Sequence, residues 1–178
     1  MSEQYYIDGY NILHASPELR SLADQDLESA REALIEQIAT FCATTGKRAT
    51  LVFDGLGRHQ PGQTGENRGV AGLQVIYAPT NLSADSIIER RIYREKSRME
   101  TIAVTNDQGI RDLCRGMGSL VMSAGNFIAT LSETLQDTRR TIQQPAKELD
   151  GARVEERLGA DTFDQLQALK ERLSNDGK

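Results

Sequence analysis

The sequence predicts an α/β fold: an open, mostly parallel five-stranded sheet with helices on both faces, followed by a helical C-terminal extension. Three observations predict it. Short apolar runs alternate with longer stretches of helical periodicity. Those runs are nearly continuous in apolar residues, as in strands covered on both faces. The chain has 178 residues, enough for one domain and a short appendage.

The elements follow in order. "QYYI" is the first strand. "DLESAREALIEQIATFCATTG" sets Leu27, Ala30, Leu34, Ile38 and Phe41 at helical spacing, with Gly46 as a stop. "RATLVF" and "LQVIYA" are the second and third strands. "SADSIIERRIYREKS" is a helix that Ser83 caps. "TIAVT" is the fourth strand, and "QGIRDLCRG" a short helix closed by Gly116. "SLVMS" is the fifth strand, and "GNFIATLSETLQDTRR" a further helix. Two stretches break the rhythm. Residues 55–72 form a connection with six glycines, and long connections of this kind are usually functional. From Pro145 onward the chain reads as one or two amphipathic helices. The expected division is a catalytic domain over 1–144 and a helical extension over 145–178.

Composition narrows the function. The net charge is -5, which argues against a general nucleic-acid glue but not against an enzyme acting on nucleic acid. Cys42 and Cys114 are too few for a disulfide framework and read as core residues. No apolar run is long enough for a bilayer, and no secretory signal opens the chain, so a cytoplasmic setting without membrane contact is expected.

The carboxyl ends of parallel strands are where such sheets bind ligands. Asp8 follows the first strand and Asp54 the second. The third leads to Asp85 in the first turn of a helix, and the fourth ends at Asn106 and Asp107. Each aspartate alone suits a turn or a helix start. Together they repel, and a cation would neutralise them. An all-oxygen donor set with no Cys or His favours Mg²⁺ or Mn²⁺ over zinc. Such an ion activates water and stabilises the leaving oxygen of a phosphodiester. Asn11 is placed to orient a carboxylate or meet a phosphate oxygen, against an ordinary turn role at even odds. Thr105 is a hydrogen-bonding partner within the cluster. Glu89 shares a helix face with Asp85 and reads as a surface charge. Arg90, Arg91, Arg94 and Arg111 border the site and are candidates for phosphate contact, as are Arg58, His59 and Arg68 in the glycine-rich connection. His14 reads as packing or turn.

"YYIDGYNIL", "LVFDG", "SADSIIERRI" and "AVTNDQGIRDL", in that order and spacing, resemble the NYN domain of the PIN-like nucleases, and most of all its YacP-like group. The likeness runs from about residue 4 to about residue 170. It implies a divalent-metal-dependent endoribonuclease with Asp8, Asp85 and Asp107 at the metal and Asn11 and Asp54 in support. It also implies RNA as substrate and work close to translation, on ribosome-bound message. Two rival readings stand beside it. One is a non-catalytic RNA- or ribosome-binding module, which would gain nothing from a negative pocket. The other is a metal-dependent phosphatase or DNA nuclease on the same sheet. No Ser, Cys or His arrangement suggests a covalent intermediate, and neither GxGxxG nor GxxxxGK[ST] is present.

Overall fold

The structure, a computed structural model, describes residues 3–55, 64–66, 72–79 and 81–143. The glycine-rich connection is therefore described only at its ends and at 64–66. The expected extension over 145–178 and its boundary lie outside the described residues.

The chain begins with β1 (Gln4–Asp8), and three helices follow without intervening loops: α1 (Gly9–Ala15), α2 (Pro17–Gln25) and α3 (Leu27–Thr45). The junctions are single residues. Ser16 closes α1 through its backbone N–H and caps α2 through its hydroxyl, and Asp26 does the same between α2 and α3. α3 stops at Gly46, whose φ of 68° is left-handed, the conformation glycine adopts without strain. β2 (Arg48–Phe53) comes next, then β3 (Thr64–Glu66) and β4 (Leu73–Tyr77). α4 (Ala84–Arg94) and a single 3₁₀ turn (Arg98–Glu100) lead to β5 (Thr101–Val104). α5 (Gln108–Gly116), β6 (Leu120–Met122) and α6 (Ala124–Gln143) complete the described chain. α5 extends through Gly116; the left-handed glycine beyond it is Gly118, with a φ of 87°.

The sheet order is β3-β4-β2-β1-β5-β6. Five strands are parallel, as the apolar runs predict, and the short β3 adds an antiparallel edge against β4. The order runs outward from β1 through β2 to β4, then returns to β5 on the other side. β1 and β5 therefore flank the switch point, the crevice where such folds place a ligand.

Alternate strand residues feed two cores. Tyr5, Ile7, Leu51, Phe53 and Val104 pack on the face covered by α1, α3 and α6. Phe41 meets Tyr5 and Phe127 edge-on, at ring separations of 5.5 Å and 5.7 Å. Tyr6, Val52, Ile76 and Ala103 pack on the other face, against Ala84, Ile88 and Ile92 of α4 and Cys114 of α5. Both cysteines are free and buried, as their core reading requires. Among the described residues no helix is long and apolar enough to cross a membrane.

Candidate active site

Asp8 is the last residue of the central strand and the N-cap of α1. Its carboxylate is 6% exposed. Oδ1 accepts from the Asn11 backbone N–H at 3.0 Å, and Oδ2 accepts from Asn11 Nδ2. Burial pushes the Asp8 carboxyl above its usual range, the Asn11 bonds pull it back, and the nearby Asp54 charge adds to the rise. Gly9 follows because nothing larger fits. A Cβ there would sit 2.4 Å from the Phe53 ring.

Asp54 follows β2, and its Oδ1 accepts from the backbone N–H of Ala84 at 2.6 Å. The Ser83 hydroxyl accepts from the Ser86 N–H at 3.2 Å, so two side chains together cap the start of α4. Gly55 is as tightly placed as Gly9, since a Cβ would meet the Ala78 carbonyl at 2.1 Å. Both Asp-Gly pairs are close approaches of backbone to a neighbouring element, which an open turn would not need.

Asp85 lies in the first turn of α4. Its Oδ1 is buried and has no hydrogen-bond partner. Burial is the largest cause that pushes its carboxyl up to about 6, followed by the charges of Asp8, Asp107 and Asp54. All of these effects act in the same direction, and among the described residues no basic side chain offsets them. Asp107 caps α5, accepting from the Ile110 N–H at 2.9 Å, while its own N–H donates to the buried Thr105 hydroxyl at 3.1 Å. Asn11 ties β1 to β5, because its Oδ1 accepts from the Asn106 N–H at 3.3 Å. Asn106 Oδ1 in turn accepts from the Ala124 N–H at 3.0 Å and so caps α6.

The structure thus brings Asp8, Asp54 and Asp107 within electrostatic reach of Asp85, and Asp54 within reach of Asp8, with Asn11 and Thr105 as hydrogen-bonding partners. The donor chemistry and the orphaned Asp85 oxygen suit a hard divalent cation. As the side chains stand, no three His, Cys, Asp or Glu among the described residues are disposed to grip an ion. The carboxylates are a shared negative field without a preformed cage.

The candidate cations are placed unevenly. Arg90 and Arg94 are exposed on α4. Arg91 is half-buried and donates to Gln74 Oε1 at 3.1 Å. Arg111 is half-buried, and its Nε is buried without a partner. Arg58, His59 and Arg68 lie outside the described residues. Glu89 is exposed, and exposed His14 stacks beside Tyr10.

Sequence reasoning missed Arg31. It is 3% exposed, donates to Glu28 and to the Tyr10 hydroxyl, and lies over the Tyr10 and Phe53 rings at 5.5 Å and 5.8 Å. It therefore braces the residues that immediately follow Asp8 and precede Asp54. The available signal was a charge within the apolar stripe of Leu27, Leu34 and Ile38.

A doubly wound sheet with clustered aspartates outside its switch point defines a PIN-like, nuclease-like domain. The chain belongs to the YacP-like NYN domain family, which matches residues 5–171. It is 27% identical over 154 residues to the uncharacterized protein YacP of Bacillus subtilis (strain 168), covering 83% of this chain and 86% of that one. A crystal structure of a mutant of Rae1 (YacP) from Bacillus subtilis superposes with a TM-score of 0.68 at 25% identity, over 84% of this chain and 87% of that one. A second Rae1 (YacP) structure shares the fold with a TM-score of 0.65 at 23% identity, over 99% of this chain and 97% of that one.

Proposed function

We propose that this protein is a divalent-metal-dependent endoribonuclease that cleaves RNA phosphodiesters by attack of water. The observation that carries the reading is Asp85 Oδ1, a buried carboxylate oxygen that, among the described residues, has no hydrogen-bond partner and feels three other carboxylates without an offsetting cation. An isolated negative field of this kind raises the free energy of the empty site, and a bound cation relieves it. Membership of the NYN family and the likeness to Rae1 (YacP) support a nuclease over a phosphatase.

Asp8, Asp85 and Asp107 are the residues proposed to hold Mg²⁺ or Mn²⁺. When bound, the ion supplies Lewis-acid activation of water and stabilises charge on the leaving oxygen. Asn11 fixes both oxygens of Asp8 and so sets its orientation. Its bonds leave lone pairs on that carboxylate for further contacts. Asp54 holds the start of α4 and thereby the position of Asp85. Half-buried Arg111 is proposed to meet a phosphate oxygen, and exposed Arg90 and Arg94 to draw the RNA backbone toward the site. Ribosome-associated message is the proposed substrate.

The test is incubation of purified protein with RNA in Mn²⁺ and in chelator, alongside Asp85→Asn. Cleavage by the wild type in Mn²⁺ alone, lost in the variant, is the expected result. RNA binding without cleavage under any metal would instead make the protein a binding module.

A further inference from the structure

α4 begins at the carboxylate cluster and carries, near its far end, a feature that metal chemistry does not explain. Tyr93 is 66% exposed, although Ile88 and Ile92 of the same helix are fully buried. The helical period turns Tyr93 to the side opposite that buried stripe. Arg98 lies over its ring at 5.4 Å and donates from Nη2 to the Tyr93 carbonyl at 2.9 Å. Exposed Arg90 lies three residues before it, at neighbouring helical spacing, and exposed Arg94 follows it further round the helix. Of the neighbouring charged groups, Arg91 is bonded to Gln74 and Glu95 accepts from the Tyr6 hydroxyl at 2.6 Å, while Glu89, one turn before Tyr93, and Lys96 are exposed. An outward aromatic ring therefore carries one arginine over its face, with two further exposed arginines at the same end of the helix, on a chain whose net charge is -5.

We infer that Tyr93 is a stacking platform for one base of a single-stranded RNA, with Arg90, Arg94 and Arg98 holding the adjacent phosphates. This rests on the ribonuclease reading and extends it from the cut to the path the strand takes. Aromatic faces accept any base, and arginines accept phosphate or add a cation to the stack. An apolar protein partner would be poorly served by a ring that one guanidinium covers and other charged side chains border. Tyr93 lies eight residues after Asp85, about 12 Å along the helix axis. The strand would leave the site along α4, with the stacked base a few nucleotides from the cut.

The experiment uses a single-stranded RNA of about 12 nucleotides, within the usual site size for such grooves. It carries 2-aminopurine a few positions from the cut, so that stacking quenches its fluorescence. Cleavage is read in Mn²⁺, and binding is read separately in chelator. Tyr93→Ala is expected to raise KM about tenfold with kcat unchanged and to abolish the quenching. Tyr93→Phe keeps the ring and is expected to match the wild type in both readings. Tyr93 is exposed, so neither variant is expected to shift Tm. An unchanged KM in Tyr93→Ala overturns the platform, as does a Phe variant as weak as the Ala variant. If the wild type cuts nothing but Tyr93-dependent quenching persists in chelator, the nuclease reading falls and the platform stands. If it neither cuts nor quenches, both fall.

Discussion

Asp54 and Ala84 are joined by a 2.6 Å hydrogen bond that fastens the end of β2 to the first amide of α4. This bond gives Asp54 a role that its place in the carboxylate set does not reveal. Asp54→Ala is expected to lower stability by about 1 kcal/mol through the lost cap, in metal-free protein. Asp54→Asn keeps an acceptor and should retain most of that stability. Denaturant unfolding of both variants in chelator checks this. Equal stability of Asp54→Ala and wild type, with cleavage lost, would show that Asp54 acts on the ion directly.

Asp85→Asn separates an active site from a set of turn residues. The Asp85 carboxyl is raised from an ordinary 3.8 to about 6, so the folded state binds a proton more readily than the unfolded one. The metal-free wild type should then lose stability relative to Asp85→Asn as pH rises from about 4 to about 6, and the difference should level off above that. At pH 7 the metal-free variant is expected to be at least as stable as wild type. Millimolar Mn²⁺ should raise the wild-type Tm and leave the variant nearly unmoved, following RT ln(1 + [L]/Kd). Thermal melts across pH, with Mn²⁺ and with chelator, read all three expectations.

Asn11→Ala removes the amide that donates to Asp8 and accepts from Asn106. The loss of bonds to a buried carboxylate is expected to cost about 1–3 kcal/mol. It should also raise the Asp8 carboxyl further, because the Asn11 side-chain bond helps the Asn11 and Tyr10 backbone N–H groups, which remain, to lower it against burial. The acid limb of the pH–rate profile should therefore move to higher pH, with kcat reduced. Asn11→Asp restores an acceptor toward Asn106 but adds a like charge beside Asp8, so it should not rescue the rate.

Arg90 and Arg94 should differ from Arg91 in how they respond to salt. For single strands, each phosphate contact contributes about 0.7 to the slope of log K against log salt. Replacing Arg90 and Arg94 with Ala should flatten that slope and weaken RNA binding mainly at low salt. Arg91→Ala breaks the bond to Gln74 instead, and should leave the slope unchanged. Titrations of labelled RNA at several salt concentrations distinguish the two cases.

The strands and their common edge were legible because the physics is local. Ile7, Leu51, Val52 and Val104 lie in runs that both faces of the sheet bury, and parallel strands carry Asp8, Asp54 and Asp107 to one side by geometry alone. α1 and α2 were not legible. They are short, and Ser16 and Asp26 serve as end of one helix and start of the next, which leaves no loop signal between them. β3 pairs through its backbone from within a glycine-rich stretch, so no side-chain alternation marks it. The Asp54 bond to Ala84 joins residues thirty apart and depends on where α4 begins after β4. The tie from Asn11 to Asn106 likewise spans most of the domain and has no trace in spacing.

β1 is paired along its length by β2 on one side and over all but its last residue by β5 on the other. Its amides are expected to exchange with deuterium only through global opening, while those of the edge strand β6 and the ends of α4 and α5 exchange through smaller, more frequent excursions. Asp8 is thereby fixed to the most persistent part of the molecule. Asp85 rides on a helix start capped by Asp54 and Ser83, and Asp107 is itself the cap of α5, so any adjustment that draws the carboxylates together is expected to fall to them. The domain then works as an anvil with two jaws, and weakening the Asp54 or Thr105 hydrogen bond is expected to speed exchange at the starts of α4 and α5 while leaving β1 unmoved.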